Sequence, residues 1–351
     1  MERKYTTLEG ETRILMEIEL EPVQGERFQS TGFPDLGAAV YERPDGKRML
    51  LVETVQSVAN RMESVCLERG GPRISEKLAG LSYILVNLSG ENINTETSSL
   101  MEAHRINSPF IISDKIFAGK FKEMCGYSKG KPIDWKKVAQ TLFYFDINSL
   151  LHGAFLANLE DGRIRVPRAI SGFIEAENIR EVSSGGVKNN PIDPTGKIRA
   201  EGFDKDVYSN VPFYRIEYTA EKIKAYFNLD LSLIDGYGLD PDAKDLLISL
   251  SFYKIALFLK TGLRLRTACD LKAKGNIVVK EPQGFQLPDD KEIYENLKNL
   301  IQSCTNKNLF ANPAVTKLNT KVYEKKDKVE KEKKGDEKIK ENNAEEAQNN
   351  D

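Results

Sequence analysis

The segment LVETVQSVANRMESV, Leu51–Val65, joins an apolar strand to a helix whose two sides differ sharply. We predict a helix over residues 54–69 with Thr54 as its N-cap. On a 3.6-residue period, the side that can be buried consists of Val55, Val58, Met62 and Val65. The other side is polar and carries Gln56, Ser57, Asn60, Arg61, Glu63 and Ser64.

The polar side of this helix has two explanations. A strand-to-helix junction presents unpaired backbone N–H groups and the positive end of the helix dipole. Amides, a hydroxyl and one arginine beside that end suit phosphates or sugar hydroxyls that are bound without reading the bases. The alternative is a polar helix face buried against another subunit, and the sequence leaves both open.

Composition indicates an ordinary globular protein with a sizeable core. The chain has 351 residues, of which 40% are hydrophobic and 30% charged. Its formal net charge of -2 gives no overall basic footprint, so a nucleic-acid partner would need locally gathered basic groups. The most apolar stretch, Leu246–Leu263, contains Lys254 at its middle, which favours a buried helix over a membrane span. The start has no secretory pattern, and we expect a cytoplasmic protein.

Several classes of enzyme lack support in the sequence. The four cysteines are widely separated and form no C-x-x-C pair, so we expect reduced, buried thiols. Only His104 and His152 exist, which excludes an H-E-x-x-H site. No glycine-rich phosphate loop and no G-x-S-x-G motif is present, so we expect neither a cofactor nor a bound metal.

The body of the chain has the pattern of a mixed α/β protein. We predict strands at residues 12–22, 47–54, 151–159 and 165–182. We predict helices at residues 132–145, 219–231 and 242–260, with Trp135 on the buried face of the first. Residues 183–212 are rich in Gly, Pro, Asn and Asp, and could form either a surface excursion or a binding loop. Residues 321–351 are almost entirely polar and charged, and we expect them to be disordered.

Arginines recur at two further places. In TGLRLRTACDL, an inward Leu263 and Leu265 would put Arg264 and Arg266 together on the opposite strand face, where two guanidiniums suit phosphates. RIRVPR repeats the alternation with Arg163 and Arg165 and continues to Arg168. An ordinary exposed strand face explains both patterns equally simply.

The two histidines and one aspartate pair are the candidates for catalysis. His104 precedes Arg105 in a segment that Pro109 should keep extended or turned. Its polar side chains could contact an anionic backbone or form hydrogen bonds with backbone groups of the turn itself. His152 lies among apolar residues and is typical of a hydrogen-bonded core histidine. Asp204 and Asp206 could hold a divalent ion, although turn carboxylates explain them too.

Eight segments in order between about Thr12 and Leu271 resemble one known family. They are FPDLGAAVYERPDG (33–46), LLVETVQSVANRMES (50–64), HRINSPFI (104–111), LLHGAFL (150–156), SGFIEAENI (171–179), SSGGVK (183–188), NVPFYRIEYTAEKIKAYFNLDL (210–231) and LFLKTGLRLRTACDL (257–271). The family is the CRISPR-associated backbone subunit of type I-G (formerly I-U) systems, a Cas-seven-type branch of the RAMP superfamily. Single segments are weak signals, whereas eight in register are specific.

The resemblance implies an α+β fold with an RRM-like (ferredoxin-like) palm, elaborated by insertions over residues 1–320, and a protruding thumb at about 183–212. It implies a non-catalytic subunit whose copies stack helically along a CRISPR RNA and contact other Cascade subunits. The bases would stay free to pair with target DNA. The alternative within the same superfamily is an endoribonuclease that uses a histidine or metal-bound Asp204 and Asp206.

The resemblance also assigns residues to RNA contacts. The guide backbone would lie against Gln56, Ser57, Asn60 and Arg61, with Arg105, Arg168, Arg264 and Arg266 as further contacts. Gly185, Gly186, Val187 and Lys188 would belong to the thumb that wedges between nucleotides.

Overall fold

The computed structural model describes residues 4–33, 36–198, 201 and 209–323. The α-helices are α1 (Val55–Ser64), α2 (Pro109–Ile112), α3 (Lys115–Cys125), α4 (Trp135–Phe145), α5 (Ile147–His152), α6 (Leu231–Gly236), α7 (Pro241–Thr261) and α8 (Asp290–Asn306). Short 3₁₀ turns occur at Thr6–Leu8, Glu76–Leu78 and Arg105–Asn107. The strands are β1 (Arg13–Pro22), β2 (Gly32–Phe33), β3 (Gly37–Ala38), β4 (Val40–Glu42), β5 (Arg48–Glu53), β6 (Tyr83–Ser89), β7 (Asn94–Ser98), β8 (Ala154–Phe155), β9 (Arg165–Val166), β10 (Ile170–Glu177), β11 (Arg180–Lys188), β12 (Val211–Thr219), β13 (Lys222–Asp230), β14 (Arg264–Arg266), β15 (Cys269–Glu281) and β16 (Val315–Lys321).

A seven-stranded antiparallel sheet organises the fold, in the order β14-β15-β1-β13-β10-β5-β4. Its strands alternate strictly: Ile14, Met16, Ile18 and Leu20 of β1 point to the core and pair with the buried side chains of β13. Helices α1 and α7 pack on this inner face. The period-two alternation thus gives the sheet one buried face and one face towards solvent.

Three smaller elements surround the sheet. The three-stranded sheet β16-β6-β7 carries the parallel pair β16 and β6. The strands β11 and β12 form a two-stranded antiparallel ribbon, which we name the ribbon. The strands β8 and β9 pair only over Ala154–Phe155 and Arg165–Val166.

The structure confirms the mixed α/β architecture and the strands predicted at residues 12–22 and 47–54. The predicted helix after Thr54 is also present, with Thr54 accepting a hydrogen bond from the Ser57 amide. It ends earlier than predicted, at Ser64, because the chain turns back and Leu67 forms a bridge with Ile74. The predicted helix at 242–260 corresponds to α7.

Four local predictions are wrong. Residues 219–231 form β13 instead of a helix, because the alternation of buried Ile223, Ala225, Phe227 and Leu229 has a period of two. The strand predicted at 151–159 is the end of α5 followed by the two residues of β8. Residues 183–188 and 211–212 are strands of the ribbon and not irregular loop. Trp135 is 49% exposed, because it stands in the first turn of α4 before the buried stripe begins.

The segment around His104 adopts one of the two conformations predicted for it, a turn, which is a 3₁₀ turn at Arg105–Asn107. The short helix α2 that follows was not predicted. Pro109 occupies the first helical position, where its missing N–H costs nothing, and the Ser108 hydroxyl accepts a hydrogen bond from the Phe110 amide.

The predicted boundary of the tail falls inside β16, which extends to Lys321. The rest of that predicted tail, from residue 324 onwards, lies outside the described residues. Within the described part of the chain, no helix combines the length and apolar character that a membrane crossing requires.

Candidate nucleic-acid interface

Helix α1 presents its polar side beside the sheet while its apolar side is buried. Val58, Ala59 and Met62 are fully buried, whereas Gln56 and Asn60 are exposed. These two amides face the same way, one helical turn apart, and the Gln56 Nε2 donates to the Asn60 Oδ1 at 2.8 Å. The exposed side of α1 is therefore a row of neutral donors and acceptors.

Arg168 extends this row at the start of the helix. Its Nη1 donates to the Val55 carbonyl at 3.3 Å and its Nη2 donates to the Gln56 amide oxygen. Burial, and then the positive charge of Arg105, lowers the pKa of the Arg168 guanidinium.

Glu53 fixes two more arginines next to the same helix. It is the last residue of β5, and its carboxylate is buried. It accepts hydrogen bonds from Ser57 Oγ, from Arg61 Nε at 2.9 Å and from Arg266 Nη1 at 2.6 Å. Arg61 Nη2 reaches the Leu265 carbonyl at 2.7 Å, which ties α1 to β14. The carboxylate thus holds both guanidiniums in fixed orientations at the surface.

The predicted strand geometry of Arg264 and Arg266 is correct only in part. Leu263 and Leu265 are buried as expected, but a register shift separates the two arginines in β14. Arg264 is exposed, whereas Arg266 turns inward to Glu53. The Arg264 guanidinium has no carboxylate within ion-pair distance in the described part of the chain.

Arg105 is buried and acts as a connector behind α1. Its Nε and Nη2 donate to the two oxygens of Glu63 at 2.7 and 2.8 Å, an arrangement that fixes the guanidinium in its plane. Asn148 Nδ2 donates to the same carboxylate at 2.6 Å. The backbone of Arg105 has φ of +50°, a conformation that costs a non-glycine residue about 1 kcal/mol or more. This geometry makes Arg105 a residue that positions its neighbours, with little of its surface left for a ligand.

The buried polar cluster continues from Asn148 to Lys254 and His152. Lys254 Nζ donates to Asn148 Oδ1 at 2.6 Å and lies 3.0 Å from His152 Nε2. Because an ammonium only donates, Nε2 accepts and the imidazole proton resides on Nδ1. That Nδ1 is buried and has no hydrogen-bond partner within the described ranges. Burial, followed by the charges of Lys254, Arg105 and Arg168, lowers the pKa of His152 well below its usual value, so the ring is neutral near pH 7.

Contacts through α1, β5 and β14 bring most of the predicted site residues together. They connect Gln56, Ser57, Asn60, Arg61, Arg168, Arg264 and Arg266. We name this set, together with the enclosing Glu53, the α1 groove. In it guanidiniums outnumber the carboxylates that pair with them, which favours an anionic ligand.

The ribbon carries the remaining predicted residues. Gly185 pairs with Tyr214, and Gly186, Val187 and Lys188 pair with Phe213, Pro212 and Val211. A side chain at Gly185 would meet the Phe213 carbonyl at 2.7 Å, so close strand pairing requires glycine there. At the base of the ribbon, Tyr218 bridges to Phe28, and the neighbouring Gln29 carbonyl accepts from Arg266 Nε at 3.4 Å. The ribbon therefore starts next to the α1 groove.

The open face of the sheet has a different character from the α1 groove. Glu17, Glu19, Glu21, Glu175 and Glu177 lie on its strands and pair with lysines or with Tyr41, as in Lys224–Glu17 at 3.2 Å. At its centre Phe173 and Tyr226 stack with centroids 5.0 Å apart. Charges of both signs therefore lie side by side on the sheet face, whereas guanidiniums predominate in the α1 groove.

The residues proposed for catalysis are not assembled into a recognisable centre. His152 is enclosed in the cluster described above, and His104 is exposed beside Arg105. Asp204 and Asp206 lie outside the described residues. Within the described ranges no group of three or more His, Cys, Asp or Glu side chains could hold a metal ion.

Sequence reasoning missed the residues that hold the groove in place. It assigned no role to Glu53 or Asn148, and it identified Lys254 only as a charge within a buried helix and Glu63 only as part of the polar stripe. The available signal for Glu53 was its position, a carboxylate at the end of an apolar strand and immediately before an N-cap. A residue in that position lies close to the polar side of the following helix.

Comparisons with known proteins add the family. Residues 14–181 match the family described as CRISPR-associated protein GSU0053. No curated protein matches the chain.

Solved structures similar in fold over most of the chain share little sequence with it. A chain of a CRISPR RNA-guided surveillance complex, pre-nicking, is 12% identical with a TM-score of 0.41, covering 84% of this chain and 88% of that one. Csc2 of Thermofilum pendens is 10% identical with a TM-score of 0.30, covering 85% and 80%. A chain of a CRISPR RNA-guided surveillance complex is 12% identical with a TM-score of 0.27, covering 90% and 97%. Over residues 14–181 the chain is therefore similar to the family described as CRISPR-associated protein GSU0053.

Proposed function

We propose that this protein is the backbone subunit of a type I-G CRISPR effector complex and that it holds the guide RNA in the α1 groove. The RNA contacts are Gln56, Ser57, Asn60 and Arg61 on the helix, with Arg168, Arg264 and Arg266 around it. Arg105 supports these residues from behind through Glu63. The chain binds RNA and does not cut it.

The observation that carries this proposal is the chemistry of α1 in its surroundings. Its exposed side offers amides held by their own hydrogen bond, and fixed guanidiniums flank it. Guanidiniums match phosphate oxygens, and amides can contact sugar hydroxyls or phosphates. Because such contacts go to the backbone, binding is insensitive to base identity and leaves the base edges to pair with target DNA.

The same proposal includes assembly. Copies of the chain bind head to tail along one guide, a heterologous contact that continues until RNA length or another Cascade subunit stops it. The seven-stranded sheet with its packed helices serves as the RRM-like palm, and the ribbon serves as the thumb, with Gly185–Lys188 along one strand. The open sheet face is then free for contacts with protein.

A matched pair of double substitutions tests the RNA contact. Gln302 and Asn306 of α8 form the same exposed amide pair as Gln56 and Asn60, with the same 2.8 Å hydrogen bond one turn apart. Replacing Gln56 and Asn60 by Ala should weaken binding of a short single-stranded RNA roughly tenfold, from two hydrogen bonds of about 0.5–1.5 kcal/mol each. Fluorescence polarisation measures the affinity.

The control substitution of Gln302 and Asn306 removes equivalent groups from a distant helix and should leave affinity unchanged. Both variants should unfold at the same denaturant concentration as the wild type, since all four side chains are exposed. Equal affinity for all three proteins, or an equal loss in both variants, contradicts the proposed groove.

A further inference from the structure

A short two-stranded pairing beside the α1 groove places an aromatic ring and a guanidinium face to face. Phe155 of β8 and Arg165 of β9 are direct cross-strand partners. Neighbours of this kind lie on the same side of a sheet, and here the Arg165 guanidinium carbon lies 4.3 Å from the centre of the Phe155 ring. Ala154 and Val166, on the opposite side, are buried. Phe155 stays 45% exposed, so one face of its ring is open to a ligand.

Gly153 explains why this pairing can form where it does. Its φ is +82°, and a Cβ at this position would meet the Val166 carbonyl at 2.9 Å. The absence of a side chain lets β8 turn sharply out of α5 and approach β9. The Gly153 carbonyl also accepts from Arg105 Nη1 at 3.4 Å, which connects the pairing to the buried cluster behind α1.

The stacked pair lines an open cleft with a basic wall. The cleft has a volume of about 460 Å³ and is lined by Arg105, His152, Phe155, Arg165 and Arg168, among others. Arg165 and Arg168 have no carboxylate within ion-pair distance in the described part of the chain. The imidazole of His152 leaves a buried N–H donor without a partner in this wall. The cleft is therefore short of negative charge and continuous with the α1 groove through Arg168 and Gln56.

We propose that Phe155 and Arg165 form the stacking surface for one unpaired nucleobase of the bound RNA, whose phosphate lies at Arg168. The inference rests on the proposed function and adds a base-contacting subsite to it. An aromatic ring and a guanidinium both stack on any nucleobase, and neither reads a base edge. The subsite thus adds affinity without sequence preference, as the backbone contacts do.

The test compares strands with and without bases. One strand is a short oligouridine, and the other has the same length and charge but carries abasic riboses. Phe155→Ala should weaken binding of oligouridine about tenfold, in the range of 1–3 kcal/mol per stacked base. The same substitution should change binding of the abasic strand less than about twofold. Arg165→Gln should weaken both strands, because it removes a charge as well as a stacking partner.

Trp135 provides the matched control, since it is 49% exposed and does not line the cleft. Trp135→Ala should leave binding of both strands unchanged. Equal weakening of both strands by Phe155→Ala would show that the ring only supports the cleft, and no weakening of either would remove it from the interface. Both results overturn the inference while wild-type RNA binding, and with it the proposed function, stands. If the wild type binds neither strand, the proposed function fails and the inference fails with it.

Discussion

At the scale of single residues, the buried carboxylate of Glu53 determines the geometry of the α1 groove. It joins Arg61 and Arg266, which are 27% and 21% exposed at the side chain, to a common anchor. Arg266 lies 213 residues further along the chain. No local sequence pattern reveals a pairing of this range, and for that reason the arginines could be predicted from the sequence and their anchor could not.

We expect Glu53→Gln to lower the free energy of unfolding by about 2 kcal/mol or more, because it removes the charge that compensates two guanidiniums. Because both arginines are partly exposed, this loss of free energy should be smaller than the loss caused by breaking a fully buried ion pair. Urea unfolding measures the change. Glu181→Gln, in the exposed pair Arg48–Glu181, should cost less than about 1 kcal/mol. Similar costs for the two substitutions would show that Glu53 does not organise the groove.

The neutral His152 predicts a dependence of stability on pH. Its pKa in the folded protein lies well below the ordinary value of 6.5 that it regains on unfolding. Below about pH 6.5 the unfolded chain therefore binds a proton that the folded chain does not. The free energy of unfolding then decreases as the pH is lowered, by at most about 1.4 kcal/mol per pH unit. Above that pH the histidine makes no such contribution.

This dependence is measured as the difference in pH profile between wild type and variants, so that carboxylate titrations cancel. His152→Gln should flatten the loss of stability between about pH 6.5 and pH 5. A profile that His152→Gln does not alter would mean that this ring titrates normally in the folded protein.

At the scale of elements, the sequence was informative where one signal dominated. The N-cap at Thr54, the strict alternation in β1 and the apolar run of β5 located those elements correctly. KIKAYFNLD was misread because its lysines, alanine and leucine suit a helix, whereas pairing of β13 with both β1 and β10 selects the strand. The ribbon was missed because β11 is polar and glycine-rich, and because the two strands are stabilised by pairing with each other.

The glycines of the ribbon supply a prediction at this scale. Gly185→Ala places a Cβ about where the Phe213 carbonyl lies, so the strands must separate locally. Amide hydrogen exchange should accelerate at least about tenfold over residues 184–188 and 211–215 and stay unchanged in the sheet. Gly71→Ala, where a Cβ meets nothing within 4 Å, is the control and should leave exchange unchanged. Unchanged exchange in Gly185→Ala would show that the ribbon is not held by this pairing.

At the scale of the whole molecule, the formal net charge does not show where the charged residues lie on the surface. A formal net charge of -2 conceals arginines gathered at the α1 groove, whereas glutamates and lysines pair across the open face of the sheet. The family resemblance in the sequence led to the same helix that the structure places at the centre of this basic region. The pairing of charges on the sheet face could not be predicted, because it depends on which strands become neighbours.

Salt dependence separates charged from neutral contacts in the groove. Replacing Arg264 by Gln should reduce the slope of log affinity against log salt by about 0.7, the value expected for one phosphate contact on a single strand. Replacing Gln56 and Asn60 by Ala should lower affinity without changing the slope, since amides displace no counterions. Lys298→Gln on the exposed side of α8 is the control and should change neither. A slope that Arg264→Gln does not affect would exclude this arginine from phosphate contact.

The most direct measurement of the central claim is photochemical cross-linking of the full-length protein to RNA that contains 4-thiouridine, with the attached peptides identified by mass spectrometry. The account predicts cross-links in residues 55–64 and 153–168, which carry the α1 groove and the adjoining cleft. Cross-links confined to the open sheet face, at residues 15–21 and 222–228, would contradict it, because they would place the RNA outside the α1 groove.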